Sequence, residues 1–232
     1  MNTGSRWLKM PAIRYQDGTR DMSIYDDVSN WEKTEGADIF SSILSVSDPV
    51  ILDYGCGCGN YSLAAAHAFA PKCKVYAVDT NRQCLDYVNS RAKDEKVGCI
   101  TAVVGREDYR HDFEDNFFDL VIYSDIFHGE EKIYNGLHRF VMLEEAKRTL
   151  KSGGILAVLP FHMSKFRDKD KKKCKYSHKK LTDEISEYGF KYIDKDLEGV
   201  HFEKVYSPYY QQKGGVTFES LERGRFLIFE RS

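Results

Sequence analysis

Between residues 50 and 160, short unbroken apolar runs alternate with stretches of helical period. VILDY (50–54) is such a run, closed by glycines and followed by an alanine-rich, helix-favouring stretch over 61–70. A second run at 74–78 ends at Asp79, and Asn81 is placed to cap a helix reaching about residue 92. Residues 99–104 and 118–123 predict strands three and four. Over 136–150, Leu137, Phe140, Val141, Leu143, Glu144 and Ala146 fall along a helix, which Lys151-Ser152-Gly153-Gly154 is expected to end. Residues 155–159 predict strand five, stopped by Pro160. Apolar strands separated by helices predict a parallel sheet with crossover helices on both faces.

The last third is less regular. A helix is expected over 177–188, ending at Gly189, then a sixth strand somewhere within 190–205 and a returning seventh at 225–230 (RFLIFE). The predicted architecture is a Rossmann-like α/β fold, with seven mostly parallel strands and an antiparallel last one. Residues 1–40, carrying Trp7, Tyr15, Tyr25 and Trp31, are too short for a domain and predict a helical cap over the mouth of the sheet. Residues 41–232 then form one domain, with a cofactor half at about 48–160 and substrate-side elements at about 161–222. The chain has neither repeats nor a low-complexity tract.

At 232 residues, 42% of them hydrophobic, the chain can bury one sizeable core. Its 34 basic and 36 acidic residues leave a net charge of −2, so no overall field draws nucleic acid or an anionic membrane. The N-terminal stretch lacks an apolar core for a signal peptide, and no run reaches the ~18 apolar residues of a membrane span. The six cysteines follow no zinc-finger or disulfide spacing. A cytoplasmic chain with free thiols is the expectation.

The decisive stretch is VILDYGCGCGN (50–60). A buried strand carries a carboxylate, Asp53, near its end. Gly55, Gly57 and Gly59 then permit a sharp turn and close approach of a ligand to the backbone. The helix that follows offers unpaired N–H groups and a positive dipole end. Twenty residues beyond Gly59, Asp79 can accept both hydroxyl protons of a ribose. A dinucleotide fingerprint needs G-x-G-x-x-G, whereas here Asn60 takes the third position. Asp53 would also repel a pyrophosphate, yet it can hold a cationic amino group. The ligand implied is a nucleoside with an amino-acid tail, and a nicotinamide oxidoreductase is disfavoured.

LDYGCGCGN resembles motif I of the class I methyltransferases, and VYAVDTN (75–81) resembles their motif II. NFFDLVIYSDIFH (116–128) is similar to their fourth-strand motif, and LEEAKRTLKSGGILAVLP (143–160) to the helix, turn and fifth strand that follow. The four are collinear and cover about residues 50–160. The resemblance implies S-adenosyl-L-methionine as cofactor and S-adenosyl-L-homocysteine as product. It assigns Gly55, Cys56, Gly57 and Gly59 to the turn around the methionine moiety and Asp53 to its amino group. Asp79 falls to the ribose and Thr80 to the adenine. Glu107, chosen over Asp108, falls to the adenine amino group although GRED (105–108) is one residue out of register. Cys58 departs from the commoner Thr or Ser, and Cys56 is read as a small turn residue rather than a nucleophile.

Asp125 and His128 follow strand four, where an acceptor should arrive. His128 is the candidate general base, because an imidazole ionises close to neutrality, and Asp125 the candidate positioning residue. Tyr25, His162, Tyr206 and Tyr209 are candidate substrate-lining residues, the tyrosines of YSPYY (206–210) sitting on a loop hinged by Gly214-Gly215. His162 with Asp125 and His128 gives no compact ligand spacing, so no metal is expected. KFRDKDKKKCKY (165–176) holds seven Lys or Arg and two Asp, without an aromatic platform. The reading is methyl transfer to a small-molecule acceptor. RNA or protein methylation, and a non-catalytic S-adenosylmethionine-binding module, stay open as alternatives, as does the oligomeric state.

Overall fold

The structure is a computed structural model, and it describes residues 23–128, 134, 137–170, 172, 175–207, 210 and 213–232. Trp7, Tyr15 and Tyr209 lie outside the described residues. A seven-stranded sheet has the order β3-β2-β1-β4-β5-β9-β6. Its strands are β1 (Val50–Tyr54), β2 (Lys74–Asp79), β3 (Ile100–Val104), β4 (Phe118–Ser124), β5 (Leu150–Leu159), β6 (Phe190–Ile193) and β9 (Leu227–Arg231). Pairing is parallel from β3 through β5, while β9 runs antiparallel to both β5 and β6. This is the mostly parallel sheet with an antiparallel last strand that the apolar runs predict.

Period-two alternation splits the strands between two cores. Ile51, Leu120, Ile122, Ala157 and Leu159 face one, and Leu52, Val121, Tyr123, Leu156 and Val158 face the other. Both faces are covered, which is why these strands read as continuous apolar runs. Helices α1 (Ser23–Lys33), α2 (Glu35–Ile43) and α3 (Asn60–Phe69) lie toward the first. The second contains residues of α5 (His138–Thr149) and α6 (His178–Ser186), and α4 (Arg82–Asp94) packs beside β2 and β3. Asn81 caps α4, accepting from the Gln83 N–H at 3.0 Å, and the Ser177 hydroxyl caps α6.

Two expectations are corrected. The residues Lys151-Ser152-Gly153-Gly154 do not end α5 through a glycine, because its last residue is Thr149 and Leu150 is already extended and paired with Phe118. The next pair is Leu120 with Ile155, so 151–154 bulge out of β5, with Gly153 at φ 73°. RFLIFE is likewise not one strand. Arg225 ends β8 (Glu222–Arg225), and Phe226 breaks away to donate its N–H to the Leu197 carbonyl at 2.9 Å. β8 pairs antiparallel with β7 (Glu198–His201), a hairpin separate from the main sheet, and α7 (Glu203–Tyr206) follows β7.

The N-terminal helices pack on α3. Trp31 stands edge-on to Tyr61, with centroids 5.5 Å apart, and Phe202 lies 5.0 Å from it. Buried Glu32 accepts from Asn60 Nδ2 at 2.9 Å and from the Arg91 guanidinium. Burial raises its carboxyl to about 7, against the pull of Arg91.

β1 and β4 are sheet neighbours, yet the chain leaves β1 toward β2 on the opposite side. This reversal opens a crevice beyond their C-terminal ends. The glycine turn lies there, with Gly59 at φ 81° as the residue before α3. A Cβ on Gly59 would come within 2.7 Å of Val88 on α4, so glycine serves both the left-handed backbone and the helix approach. Gly59→Ala is expected to lower stability by about 1–2 kcal/mol. Denaturant unfolding checks this, and an unmoved midpoint would refute it.

Candidate functional site

The crevice is a cleft of two chambers, of about 370 and 360 Å³, that share Gly55 and Ile126. Asp79, Thr80, Gly105, Glu107 and Tyr109 are among the residues lining the second. Asp79 closes β2, and its Oδ2 accepts from the Gly57 N–H at 2.9 Å while Oδ1 accepts from the Asn81 N–H at 2.8 Å. One carboxylate thus ties the glycine turn to the start of α4. Glu107 lines this chamber, whereas the carboxylate of Asp108 is held by Arg106 at 2.7 and 2.8 Å and lowered to about 2 by that contact.

The first chamber is lined by Asp53, Gly55, Cys56, Gly57, Ser124, Asp125, His128, His201, Glu203 and Tyr206, among others. Nothing lies within 4 Å of a Cβ placed on Gly57, so its backbone faces open space. Gly59 sits behind this wall, under Val88. Asp53 is 1% exposed and accepts from the Ser62 hydroxyl at 2.6 Å. Burial outweighs that hydrogen bond and raises its carboxyl to about 7. Cys56 is likewise pushed well above the usual thiol range by burial, which suits a turn residue and not a nucleophile.

At the far end stands Asp125, just past β4. Its carboxylate contacts three imidazoles: His128 Nδ1 at 3.0 Å, His162 Nδ1 at 3.2 Å and His201 Nε2 at 2.8 Å. Glu203 lies 3.3 Å from the same His201 nitrogen. Burial opposes ionisation of Asp125, but hydrogen bonds from His128 and His201 hold it far below the usual carboxylate range. Burial likewise opposes a charge on His201, and the bonds to Asp125 and Glu203 raise it to about 9. Asp125 and His162 both occupy left-handed backbone, at φ 51° and 53°. For non-glycine residues this costs about 1–2 kcal/mol each, strain that collects at functional sites.

Sequence reasoning brought Asp125, His128 and His162 to one edge, and the structure gathers them. It missed His201 and Glu203, which the β7–β8 hairpin delivers from more than 70 residues away. The hairpin is held by Tyr61 of α3, whose hydroxyl donates to the Val200 carbonyl and accepts from the Val200 N–H, both at 2.8 Å. His201, Glu203 and Lys204 interleaved with apolar residues in GVHFEKV were the signal available. Asn81 and Cys84 also line the first chamber without having been foreseen.

Tyr206 lines the first chamber, its hydroxyl accepting from Asn60 Nδ2 at 3.1 Å. Tyr25 does not reach the cleft. It packs against Tyr206 with centroids 6.3 Å apart and lines a side hollow with Tyr87 and Arg91, because α1 lies on α3. In the basic segment Lys169 pairs with Glu187 at 2.9 Å and the Lys172 N–H binds Asp168. Among the described residues, no helix is long and apolar enough to cross a membrane.

Comparison with known proteins gives the family and the fold. The "Ubiquinone/menaquinone biosynthesis C-methyltransferase UbiE" of Burkholderia multivorans is 32% identical over 111 residues, covering 48% of this chain and 42% of that protein. Its counterpart from Cupriavidus metallidurans matches to the same extent. The chain therefore spans less than half the length of these relatives. A SAM-dependent methyltransferase from Aquifex aeolicus shares the fold with a TM-score of 0.57 at 19% identity, covering 88% of this chain and 94% of that one. PH0226 protein from Pyrococcus horikoshii gives 0.59 at 16%, covering 91% and 94%. A family model described as "Methyltransferase domain" matches residues 45–214, most of the chain. The chain belongs to this methyltransferase-domain family.

Proposed function

We propose that the chain transfers the methyl group of S-adenosylmethionine to a small-molecule acceptor carrying an ionisable nucleophile, received at the Asp125 end of the cleft. The observation that carries this reading is the carboxylate-centred imidazole cluster walling a chamber that adjoins the glycine turn. The cofactor fits the residues present. Asp79, with Thr80 and Glu107 in the same chamber, offers a carboxylate to a ribose beside a base-sized space. The bare backbone of Gly57 and the buried Asp53 suit an amino-acid tail with a cationic end. When bound, the cofactor supplies an electrophilic methyl on a good leaving group.

The protein's tasks are then to orient the acceptor, exclude water and take up a proton. His128 lines the chamber with its Nδ1 3.0 Å from Asp125 Oδ1, which would make Nε2 the atom that takes a proton from an acceptor. The two relatives named for quinone biosynthesis act, by their names, as C-methyltransferases, which supports a small acceptor.

The test is transfer of labelled methyl from S-adenosylmethionine to separate panels of phenols, enolisable carbonyl compounds and amines, with RNA and basic peptides as controls. Labelling confined to a small molecule is expected. Labelling of RNA or peptide alone would overturn the reading, and cofactor binding without any turnover would favour a non-catalytic module.

Asp53 adds a pH signature. A raised carboxyl pKa means that the folded chain holds this proton more tightly than the unfolded one. Its contribution to stability is full below about 4 and declines as pH rises through about 7. A cationic amino group nearby favours the ionised form, so S-adenosylhomocysteine affinity should rise up to about tenfold between about pH 6 and about pH 8. Calorimetry should show proton release on binding near neutrality, abolished in Asp53→Asn. Equal pH dependence in both proteins would remove Asp53 from this role.

A further inference from the structure

Asp125, His162, His201 and Glu203 each present one donor atom, and all four atoms lie within 4.8 Å of one another. Three of the separations are known individually: Asp125 to His201 at 2.8 Å, Asp125 to His162 at 3.2 Å and Glu203 to His201 at 3.3 Å. An ion held tetrahedrally at about 2.0–2.2 Å by nitrogen and oxygen requires donor–donor edges of about 3.3–3.6 Å. Changes of a few tenths of an ångström in the short separations, and of about 1.2–1.5 Å shared between the two side chains of the widest pair, would bring the set to that geometry. We propose that these four residues form a binding site for a divalent transition-metal ion at the acceptor end of the cleft.

The donors suit such an ion. Two imidazoles with two carboxylates make a mixed nitrogen–oxygen set of the kind taken by zinc, manganese, iron(II) or cobalt(II), while magnesium and calcium favour oxygen alone. Two carboxylate charges balance the ion's charge. The residues come from three separate places, the ends of β4 and β5 and the junction of β7 with α7, each held by its own packing. Supporting contacts of the sort that orient metal ligands are also present. His128 Nδ1 lies 3.0 Å from Asp125 Oδ1, His162 Nδ1 lies 3.2 Å from both carboxylate oxygens, and His201 Nε2 lies 2.8 Å from Oδ2. The Glu222 carboxylate stands 3.9 Å from His201 Nδ1, on the side of the ring away from the cluster. The His201 ring is stacked on Phe161 at 4.6 Å and 6% exposed, so it cannot swing away.

The cluster is also crowded without a cation. His128 and His162 have ring centroids 4.5 Å apart, and His162 and His201 5.2 Å, around a single aspartate. Asp125, His201 and Glu203 line the cleft, so an acceptor oxygen would reach such an ion from that side as a fifth ligand. The class of ligand that suits this side is an acceptor with an ionisable oxygen. Ion binding stands on the cluster alone, whereas the role in gripping an acceptor rests on the methyl-transfer reading.

The experiment uses the untagged full chain, stripped with chelator and titrated with cobalt(II) and zinc(II). One ion per chain is expected, with the intense visible absorption of low-symmetry cobalt. His162→Ala and Glu203→Gln should each weaken binding by about 100-fold or more, and His162→Ala should still bind S-adenosylhomocysteine as a check on folding. Wild-type chain titrated with manganese(II) should show selective broadening of the His162 and His201 imidazole resonances, an observation independent of any variant. No stoichiometric ion, unbroadened imidazoles, or parent-like affinity in both variants would overturn the site. If S-adenosylhomocysteine binds and the ion does not, this inference fails alone. Ion binding without cofactor binding would instead sink the methyl-transfer reading.

Discussion

Asp125→Asn is expected to lower the turnover number for methyl transfer by about 100- to 10,000-fold, the span that positioned proton transfer commonly contributes. The substitution keeps shape and removes charge. Asp125 faces imidazole nitrogens of His128, His162 and His201 at 3.0, 3.2 and 2.8 Å, and a carboxylate can accept from all three. An asparagine offers one acceptor oxygen and turns an NH2 toward a ring nitrogen, so at least one imidazole must rotate. Asp125 therefore acts by positioning. The informative readout is the split between constants, with kcat falling, and both KM for the cofactor and S-adenosylhomocysteine affinity staying within about threefold, because the ribose end of the cleft is untouched. A kcat within tenfold of the parent chain, on any acceptor that chain methylates, would remove Asp125 from the chemistry.

The contrast between what the sequence foretold and what it concealed follows from how local each signal is. Strands β1, β4 and β5 are legible because burial on both faces makes each an apolar run, as with Ile51 and Leu52 in opposite cores, and β2 and β3 carry the same apolar composition toward the sheet edge. The glycine turn is legible because left-handed backbone at three alternate positions, φ 77°, 51° and 81°, demands glycine within five residues of chain. The β7–β8 hairpin is not. Its strands have four residues each and contain Gly199 and Gly224, and its place is set by Tyr61 and by Phe226 breaking an apolar run. Hence Asp125 could be placed at a strand end from sequence, while His201 and Glu203 could not be placed beside it. Tyr25 was misplaced for a related reason: an aromatic residue signals burial but not against which element, and here it meets Tyr206 from the side.

Asp79→Ala is expected to weaken S-adenosylhomocysteine binding by about 1.5–3 kcal/mol, roughly 10- to 150-fold, the value of hydrogen bonds to a charged group. Asp79 lines the second chamber and already accepts from the Gly57 and Asn81 N–H groups, at 2.9 and 2.8 Å. Two effects should therefore combine. Ribose hydroxyls lose a carboxylate acceptor, and the glycine turn loses the tie that fixes Gly57 against the end of β2. Asp79→Asn separates them, because an amide keeps an acceptor oxygen for one N–H but loses the charge. It should fall between the parent and the alanine variant in affinity and near the parent in thermal stability. Calorimetric titration of the three proteins, beside an unfolding curve for each, decides the matter. Parent-like affinity in Asp79→Ala would remove Asp79 from the ribose site. If Asp79→Asn matches Asp79→Ala in affinity while keeping parental stability, charge at the ribose outweighs the shape of the turn. Equal losses of affinity and stability in Asp79→Ala, both recovered in Asp79→Asn, would make the contact with Gly57 the larger part, and would place the gain of the motif in a turn held ready before the cofactor arrives.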